Sequence, residues 1–353
     1  MSLLPLHEFH ELQDAQFTEV NGLEFVATYG DVAAEYRALK ESAGFIDLSN
    51  RGRICLLGAD RLKFLHGQVT NDVQGLKADG GCYAALVNAK AKMESDLFIY
   101  RLADELLLDF EPGLTEKVTT RLDKYIIADD VQIVDVAPHY GLVSVQGPKS
   151  ASAIEALGIV PTLPATPLQW VKDNVPDVGD IYVMNQPRLG ATGYDVFIPS
   201  AGLGMIADKL LAAVKAQGGR ACGLNAFEAA RIEAGIPRYG VDMDETNLAP
   251  EAGIEKRAIS YTKGCYIGQE VNARIRTYGQ VAKSLRRLEL TGITEVPVKG
   301  TKLQIAGKDV GYLASVVRLP MSQQVVALGY VRKEHKEAGT VLDLPGGQAK
   351  ILA

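Results

Sequence analysis

Cysteine is scarce in this sequence of 353 residues, and its four cysteines lie far apart. Cys55, Cys82, Cys222 and Cys265 form no Cys-x-x-Cys pair, and no histidine accompanies them at the spacing of a metal site. This distribution predicts a reduced, cytoplasmic protein with neither a disulfide framework nor a preformed structural zinc site. We therefore expect no bound metal.

Long apolar runs and basic segments are also absent. No stretch approaches the length of a membrane span, and residues 1–10 lack the basic, apolar pattern of an export signal. The net charge of −6 argues against a general nucleic-acid surface. We therefore expect neither a membrane nor a nucleic acid as a direct partner.

Two common ligand motifs are present only in fragments. Residues 147–150 (GPKS) imitate the end of a phosphate-binding loop, but a proline separates the glycine from the lysine and the first glycine is misplaced. Residues 242–244 (DMD) begin like a calcium loop but lack its glycine and its distal glutamate. These departures exclude a nucleotide-hydrolysing and an EF-hand interpretation.

The most informative stretch that is present is residues 263–270 (KGCYIGQE). We interpret it as a loop that delivers a thiol to the start of a helix ending near Gly279. The helix N-terminus and Lys263 both favour the thiolate form of Cys265, and flanking glycines permit close backbone approaches. The alternative is that a lone cysteine is a small buried hydrophobe without chemistry. The residues alone leave both interpretations open.

A chain of this length is expected to build two or three packed units. Strand and helix patterns repeat in a ferredoxin-like order over residues 53–57, 61–67, 83–88, 96–102, 105–110 and 114–125, and again over residues 142–150, 182–184, 194–198 and 203–216. We therefore predict two pseudo-duplicated halves that face each other across a ligand cavity.

The end of the chain changes character. Short β-rich runs punctuated by glycine predict a small antiparallel barrel over residues 285–290, 302–305, 310–317, 325–331 and 341–344. The predicted domains are the first half, the second half with the cysteine motif, and the barrel, at residues 1–137, 138–280 and 281–353.

The cysteine motif resembles the signature of YgfZ-type folate-binding proteins, which are relatives of the glycine-cleavage T-protein, an aminomethyltransferase. Further resemblance to this superfamily lies in residues 35–48, 64–73, 231–237, 239–240 and 250–253. The match spans nearly the whole chain, and its cysteine block separates the YgfZ branch from the transferase branch. It implies an α+β fold with two ferredoxin-like halves forming a folate-binding domain, and a C-terminal β-barrel that completes a three-lobed ring.

The resemblance also implies a folate site at the hairpin of residues 88–96. The transferases carry two adjacent aspartates there, and this chain has Ser95 and Asp96. A carboxylate suits this position because it stabilises a developing ammonium or iminium ion. Asp96 is therefore a folate-site candidate, although without the resemblance it would be a strand-edge residue facing solvent. A second departure is Ala191, which stands where the transferases place the glutamate that pairs with the pterin ring.

The predicted cofactor is tetrahydrofolate or a one-carbon derivative. The resemblance implies a role in assembling or repairing iron–sulfur clusters of client enzymes, including tRNA-modifying ones, which would bind transiently. The alternative function is a tetrahydrofolate-dependent aminomethyltransferase, and a third is a scaffold with a vestigial folate cavity. The predicted site consists of catalytic Cys265 and Lys263, supporting Gly264, Tyr266, Gly268, Gln269 and Glu270, and folate-binding Tyr83, Asn88, Asp96 and Arg231.

Overall fold

The computed structural model describes residues 2–279 and 281–353. These residues form two compact units. Unit 1 comprises residues 2–64, 73–82 and 97–230, and unit 2 comprises residues 65–72, 83–96 and 231–353. The three-part division predicted from the sequence stays a prediction, and its boundary residue 280 lies outside the described residues.

The strands are β1 (Gln16–Val20), β2 (Leu23–Thr28), β3 (Gly44–Asp47), β4 (Gly52–Leu57), β5 (Gly81–Val87), β6 (Met93–Arg101), β7 (Leu106–Phe110), β8 (Gln132–Asp135), β9 (Tyr140–Gln146), β10 (Trp170–Val175), β11 (Gly179–Asn185), β12 (Gly193–Pro199), β13 (Arg220–Ala221), β14 (Lys283–Thr291), β15 (Lys302–Ile305), β16 (Lys308–Arg318), β17 (Val325–Arg332), β18 (Val341–Leu344) and β19 (Gly347–Ile351). The α-helices are α1 (His7–Glu11), α2 (Val32–Glu41), α3 (Arg61–Gln68), α4 (Thr115–Asp123), α5 (Ser150–Glu155), α6 (Leu203–Ala216), α7 (Leu224–Ala234), α8 (Glu255–Ala258) and α9 (Gln269–Tyr278). No helix in the described parts of the chain is long and apolar enough to cross a bilayer.

The first large sheet has the strand order β5-β6-β7-β4-β8. Along the chain its elements follow one another as β4, α3, β5, β6, β7, α4 and β8. This is the ferredoxin-like order with one additional edge strand. The helix α4 buries Val118 and Leu122, which are four residues apart and therefore share one helix face. The expected α+β architecture of the first half is confirmed.

The second large sheet repeats this topology with an insertion. Its strand order is β10-β11-β12-β9-β3-β13, and the chain runs β9, α5, β10, β11, β12, α6 and β13. Strand β3, from the beginning of the chain, pairs with β9 and so occupies the position that β8 has in the first sheet. The predicted duplication is thus confirmed at the level of topology.

The C-terminal strands close into a barrel in the order β14-β17-β16-β15-β18-β19. Alternate apolar side chains of these strands fill its interior, as in Leu288 and Leu290 of β14, which are at most 5% exposed. The predicted antiparallel barrel is confirmed. Strand β19 was not predicted, because its sequence GQAKI lacks a run of β-branched or aromatic residues.

A buried network of charges joins the two sheets inside unit 1. Asp109 on β7 accepts hydrogen bonds from Arg51 Nε at 2.7 Å and from Arg188 Nη2 at 2.7 Å. Arg188 also donates to both carboxylate oxygens of Asp195 on β12. These four side chains are at most 7% exposed. Because Asp109 and Asp195 lie on different sheets, Arg188 holds the sheets together.

Replacing Asp109 by asparagine should destabilise unit 1 strongly. The change leaves Arg51 and Arg188 buried with one carboxylate fewer, and breaking a buried ion pair in this way costs about 3–5 kcal/mol. Urea denaturation followed by circular dichroism measures the loss. The matched control is Asp104→Asn, at an exposed position in the turn before β7. Equal midpoints for the two variants would contradict the structural role assigned to Asp109.

The Asp109 carboxylate should also make the free energy of unfolding depend on pH in the acidic range. Burial alone raises the pKa of Asp109, but Arg51 and Arg188 outweigh it, so that the pKa is lowered in the folded protein. A lowered pKa stabilises the fold above the unfolded-state value of about 4, and this contribution is lost as pH falls through the folded-state pKa. The free energy of unfolding of the Asp109→Asn variant, measured by urea denaturation at several acidic pH values, should therefore decrease less with falling pH than that of the wild type.

Candidate active site

The cysteine motif forms a turn in unit 2 that leads into α9. Cys265 in this turn is exposed, Cys55 and Cys222 are buried, and Cys82 is half-buried. Burial raises the pKa of both buried thiols, which keeps them protonated and unreactive. Cys265 is therefore the most accessible of the four thiols, and its reactivity stays a prediction.

Lys263 ties this turn to the end of helix α3. Its ammonium donates to the backbone carbonyls of His66, of Val69 at 2.7 Å and of Asn71 at 2.9 Å. The same ammonium lies 4.8 Å from the ring centroid of Tyr266. An ammonium has three donors, and cations are favourable beside the carbonyls at a helix C-terminus. This placement makes Lys263 a buried clamp for the loop, and the catalytic role predicted for it stays a prediction.

Gly268 brings the motif against the hairpin between β5 and β6. Its φ of +83° is a left-handed conformation, and an added Cβ would lie 2.6 Å from the carbonyl oxygen of Asn88 and 3.1 Å from Ala91 Cα. Only glycine fits both requirements. At Gly264 an added Cβ would lie at an ordinary contact distance of 3.5 Å from His66 Nε2. Steric crowding therefore does not explain why this residue is a glycine.

Asn88 shapes the hairpin on which the motif packs. Its Oδ1 accepts hydrogen bonds from the backbone N–H groups of Lys90 at 2.9 Å and Lys92 at 3.1 Å. This is the local bonding by which asparagine builds turns. The side-chain oxygen is therefore engaged in forming the turn, and the predicted folate contact of Asn88 stays a prediction.

Asp96 is held inside the hairpin by Tyr83. The Tyr83 hydroxyl donates to Asp96 Oδ2 at 2.7 Å, and the two residues are 4% and 8% exposed. The Arg257 guanidinium lies 4.9 Å from the ring centroid of Tyr83. Ser95 is fully buried and donates to the backbone carbonyl of Asp96. Asp96 is thus not the solvent-facing edge residue of the alternative interpretation, and Ser95 provides no second acid.

Residues 239–247 hold the hairpin through its backbone. The hydroxyl of Tyr239 donates to the carbonyl of Met93 at 3.1 Å, and the Met93 N–H donates to the carbonyl of Asn247 at 3.1 Å. Lys92 Nζ donates to the carbonyl of Thr246 at 2.6 Å. Burial raises the pKa of Tyr239, which keeps its hydroxyl a donor at neutral pH. The predicted site residues did not include Tyr239 or Arg257, because both act through positions distant in the chain.

Arg231 belongs to a different part of unit 2. It is 1% exposed and forms an ion pair with Asp242, while its Nη2 donates to Ser315 Oγ at 3.1 Å and its Nη1 to the carbonyl of Ile236 at 3.2 Å. A guanidinium with these partners is neutralised within the protein. Arg231 therefore has a structural role, and its predicted folate contact stays a prediction.

A histidine that sequence reasoning missed lies beside the motif. His66 Nδ1 is 3.3 Å from Asp72 Oδ1, and its Nε2 faces the backbone of Gly264. Burial and the nearby Lys263 ammonium lower the pKa of His66 despite the opposing charge of Asp72. The imidazole is therefore neutral at pH 7 and can accept a proton in the vicinity of the loop.

The described residues contain no group of three or more metal-ligating side chains. Three features of this region are an exposed thiol on a clamped loop, a neutral imidazole beside that loop, and a buried carboxylate held by a tyrosine on the hairpin. All of these lie in unit 2.

A family model described as the GCVT N-terminal domain matches residues 6–263, which is well over half of the chain. The chain belongs to the GCVT family. It is 26% identical over 351 residues to an aminomethyltransferase of Halalkalibacterium halodurans, covering 99% of this chain and 95% of that protein. It is 27% identical over 352 residues to one of Symbiobacterium thermophilum, covering 96% and 92%.

The fold of this GCVT protein matches a solved relative over its whole length. The crystal structure of the glycine cleavage system aminomethyltransferase T from Bartonella henselae superposes with a TM-score of 0.90 at 23% identity, covering 100% of this chain and 97% of that one. The superfamily expected from the sequence is thus shown. The names of these relatives correspond to the alternative function expected from the sequence, aminomethyl transfer, and not to iron–sulfur cluster assembly.

The close packing of the motif on the hairpin predicts that alanine destabilises the protein more at Gly268 than at Gly279. Gly268→Ala combines a left-handed φ with a clash at Asn88, whereas Gly279→Ala at the other end of α9 has a similar φ of +77° and nothing within 4 Å of the added Cβ. The control should lose about 1–2 kcal/mol from strain, and Gly268→Ala about 1–3 kcal/mol more from overpacking. Chemical denaturation measures both, and indistinguishable losses would show that the loop does not depend on this contact.

Proposed function

We propose that this protein binds tetrahydrofolate in unit 2, with the Asp96 carboxylate beside the reacting nitrogens of the cofactor. The observation that carries the proposal is the bond from Tyr83 to Asp96, which fixes one buried carboxylate in the hairpin that supports the cysteine motif. A fixed carboxylate stabilises positive charge that develops on an adjacent nitrogen without reorganising during the reaction.

Membership of the GCVT family and the names of the relatives support one-carbon chemistry at this site. The arrangement around Tyr83 supports it as well. An exposed arginine, Arg257, lies over the ring, and cations of this kind attract the carboxylates of a glutamate tail. The site therefore combines a carboxylate for the folate nitrogens with a cation for the folate tail.

We propose further that the bound folate and Cys265 together support the assembly or repair of iron–sulfur clusters in client enzymes, the role implied by resemblance to YgfZ-type proteins. Two observations support this role. Cys265 is exposed on a loop that Lys263 clamps in place. The acids that the transferases use are replaced by Ser95, whose hydroxyl bonds the backbone, and by exposed Ala191.

The second candidate function is tetrahydrofolate-dependent aminomethyl transfer. It is favoured by the names of the relatives and by the retained Asp96. The two functions share the folate site and differ in what the protein does with Cys265. An aminomethyltransferase needs a lipoyl-linked aminomethyl donor and does not need this thiol.

Replacing Asp96 by asparagine should weaken tetrahydrofolate binding. Loss of one charge-assisted hydrogen bond corresponds to about 1.5–3 kcal/mol, or roughly 10- to 100-fold in affinity. Tyr83→Phe should weaken it less, because it frees Asp96 without removing the charge. Isothermal titration calorimetry measures the tetrahydrofolate affinity of the wild type and of both variants. The control is Asp173→Asn, on the exposed part of β10. Unchanged affinity in Asp96→Asn removes Asp96 from the site.

Replacing Cys265 by serine should separate the two candidate functions. Serine differs by one atom, so the fold and the folate affinity of the variant should persist. When the variant is expressed in a strain that lacks this protein, it should fail to restore the activity of iron–sulfur enzymes. Pulse alkylation with mass spectrometry should label Cys265 before the other three thiols, because it alone is exposed. Full complementation by Cys265→Ser, together with rapid methylenetetrahydrofolate formation from an aminomethyl-lipoyl donor, would establish the transferase instead.

A further inference from the structure

A small cavity lies between the two sheets of unit 1. Its volume is about 50 Å³, and its lining includes the charged or polar side chains of Arg53, Cys55, Glu105, Tyr140 and Tyr182 together with the ring of Phe197. The other lining residues are leucines and a valine. A cavity needs about 10–15 Å³ of such volume for one water molecule, so this one holds roughly three to five non-hydrogen atoms.

The side chain of Arg53 is the unusual member of this lining. It is 0% exposed, and its Nη2 donates to the carbonyls of Ser49 at 3.1 Å, Ala137 at 3.1 Å and Tyr140 at 2.7 Å. Its Nε and Nη1 are buried and have no hydrogen-bond partner among the described residues. Burial lowers the pKa of Arg53 to about 10, which leaves the guanidinium charged at neutral pH. Buried donors of a charged group are costly to leave unbonded.

A carboxylate lines the same cavity. Glu105 is half-buried in the turn before β7, and it lines the cavity together with Cys55. A simple anion in the cavity would gain from Arg53 but would be repelled by Glu105. A simple cation would be attracted by Glu105 but repelled by Arg53. The pair of charges therefore favours a ligand that carries both signs.

We propose that this cavity binds a small zwitterion, an α-amino acid of about the size of glycine. Its carboxylate accepts hydrogen bonds from the unpartnered donors of Arg53, and its ammonium faces Glu105 and the ring of Tyr140, because the ring of Tyr182 already carries the Lys172 ammonium 5.5 Å from its centroid. Aromatic faces stabilise ammonium groups, and the remaining apolar lining leaves no room for a long side chain. This site is separate from the proposed folate site, because all of its residues lie in unit 1.

The protein carries its own reporter for this site. Its single tryptophan, Trp170, has its ring centroid 5.8 Å from that of Tyr182, which lines the cavity. We expect glycine to change the Trp170 fluorescence of the full-length protein saturably, and equilibrium dialysis with radiolabelled glycine to give the same dissociation constant. Acetate and methylamine each lack one of the two charges, so each should bind at least about tenfold more weakly.

Two variants test the charges separately. Glu105→Gln removes the partner of the ammonium and should weaken glycine binding about tenfold or more without weakening acetate binding. Arg53→Lys should abolish binding of both, and circular dichroism establishes whether this buried variant folds. The control is Glu116→Gln, at an exposed position on α4, which should bind glycine like the wild type.

The proposal is overturned if glycine shows no saturable binding up to about 20 mM, which corresponds to a binding free energy weaker than about 2.3 kcal/mol. It is also overturned if acetate binds as tightly as glycine, or if Glu105→Gln leaves glycine binding unchanged. The Glu105 variant decides the question even if Arg53→Lys does not fold. Tetrahydrofolate binding should be the same in all of these folded variants, so failure here and failure of the folate proposal are distinguishable.

Discussion

The Asp109 carboxylate between two buried guanidinium groups is the constraint on which the core of unit 1 depends. Removing charged groups from water costs several kcal/mol each, and only mutual pairing with good geometry repays it. Asp109 faces Arg53 across β4 and β7, and Asp195 faces Ser144 across β9 and β12. The two aspartates thus occupy equivalent strands of the two halves. Because Arg188 bonds to both, it sets the spacing of the sheets that carry the duplication.

The architecture was largely predictable from the sequence, because the elements that build it are marked by apolar runs. Strands such as β7, in which all five residues are buried, are recognisable in the sequence as short apolar runs. Strand β10 was missed for the opposite reason: it lies at a sheet edge, and residues 172–174 of it are polar and exposed. Strand order within each sheet followed from the ferredoxin-like pattern and not from individual residues.

The candidate site was predictable only in part. The exposure of Cys265 agrees with the glycines around it, and the burial of Asp96 agrees with the resemblance. The partners of Lys263 and Arg231 could not be foreseen, because their acceptors lie far away in the chain. Lys263 bonds to carbonyls more than 190 residues earlier, and Arg231 bonds to Ser315, 84 residues later. A charge in a linear motif does not reveal whether it faces the neighbouring cysteine or a helix end.

The clamped ammonium of Lys263 has a further chemical consequence. A free amine beside a one-carbon cofactor would capture formaldehyde or another electrophile and form an adduct. All three N–H donors of Lys263 are directed at carbonyl oxygens, so the nitrogen presents no lone pair to such a species. The loop therefore gains a cation for its folding without gaining a competing nucleophile.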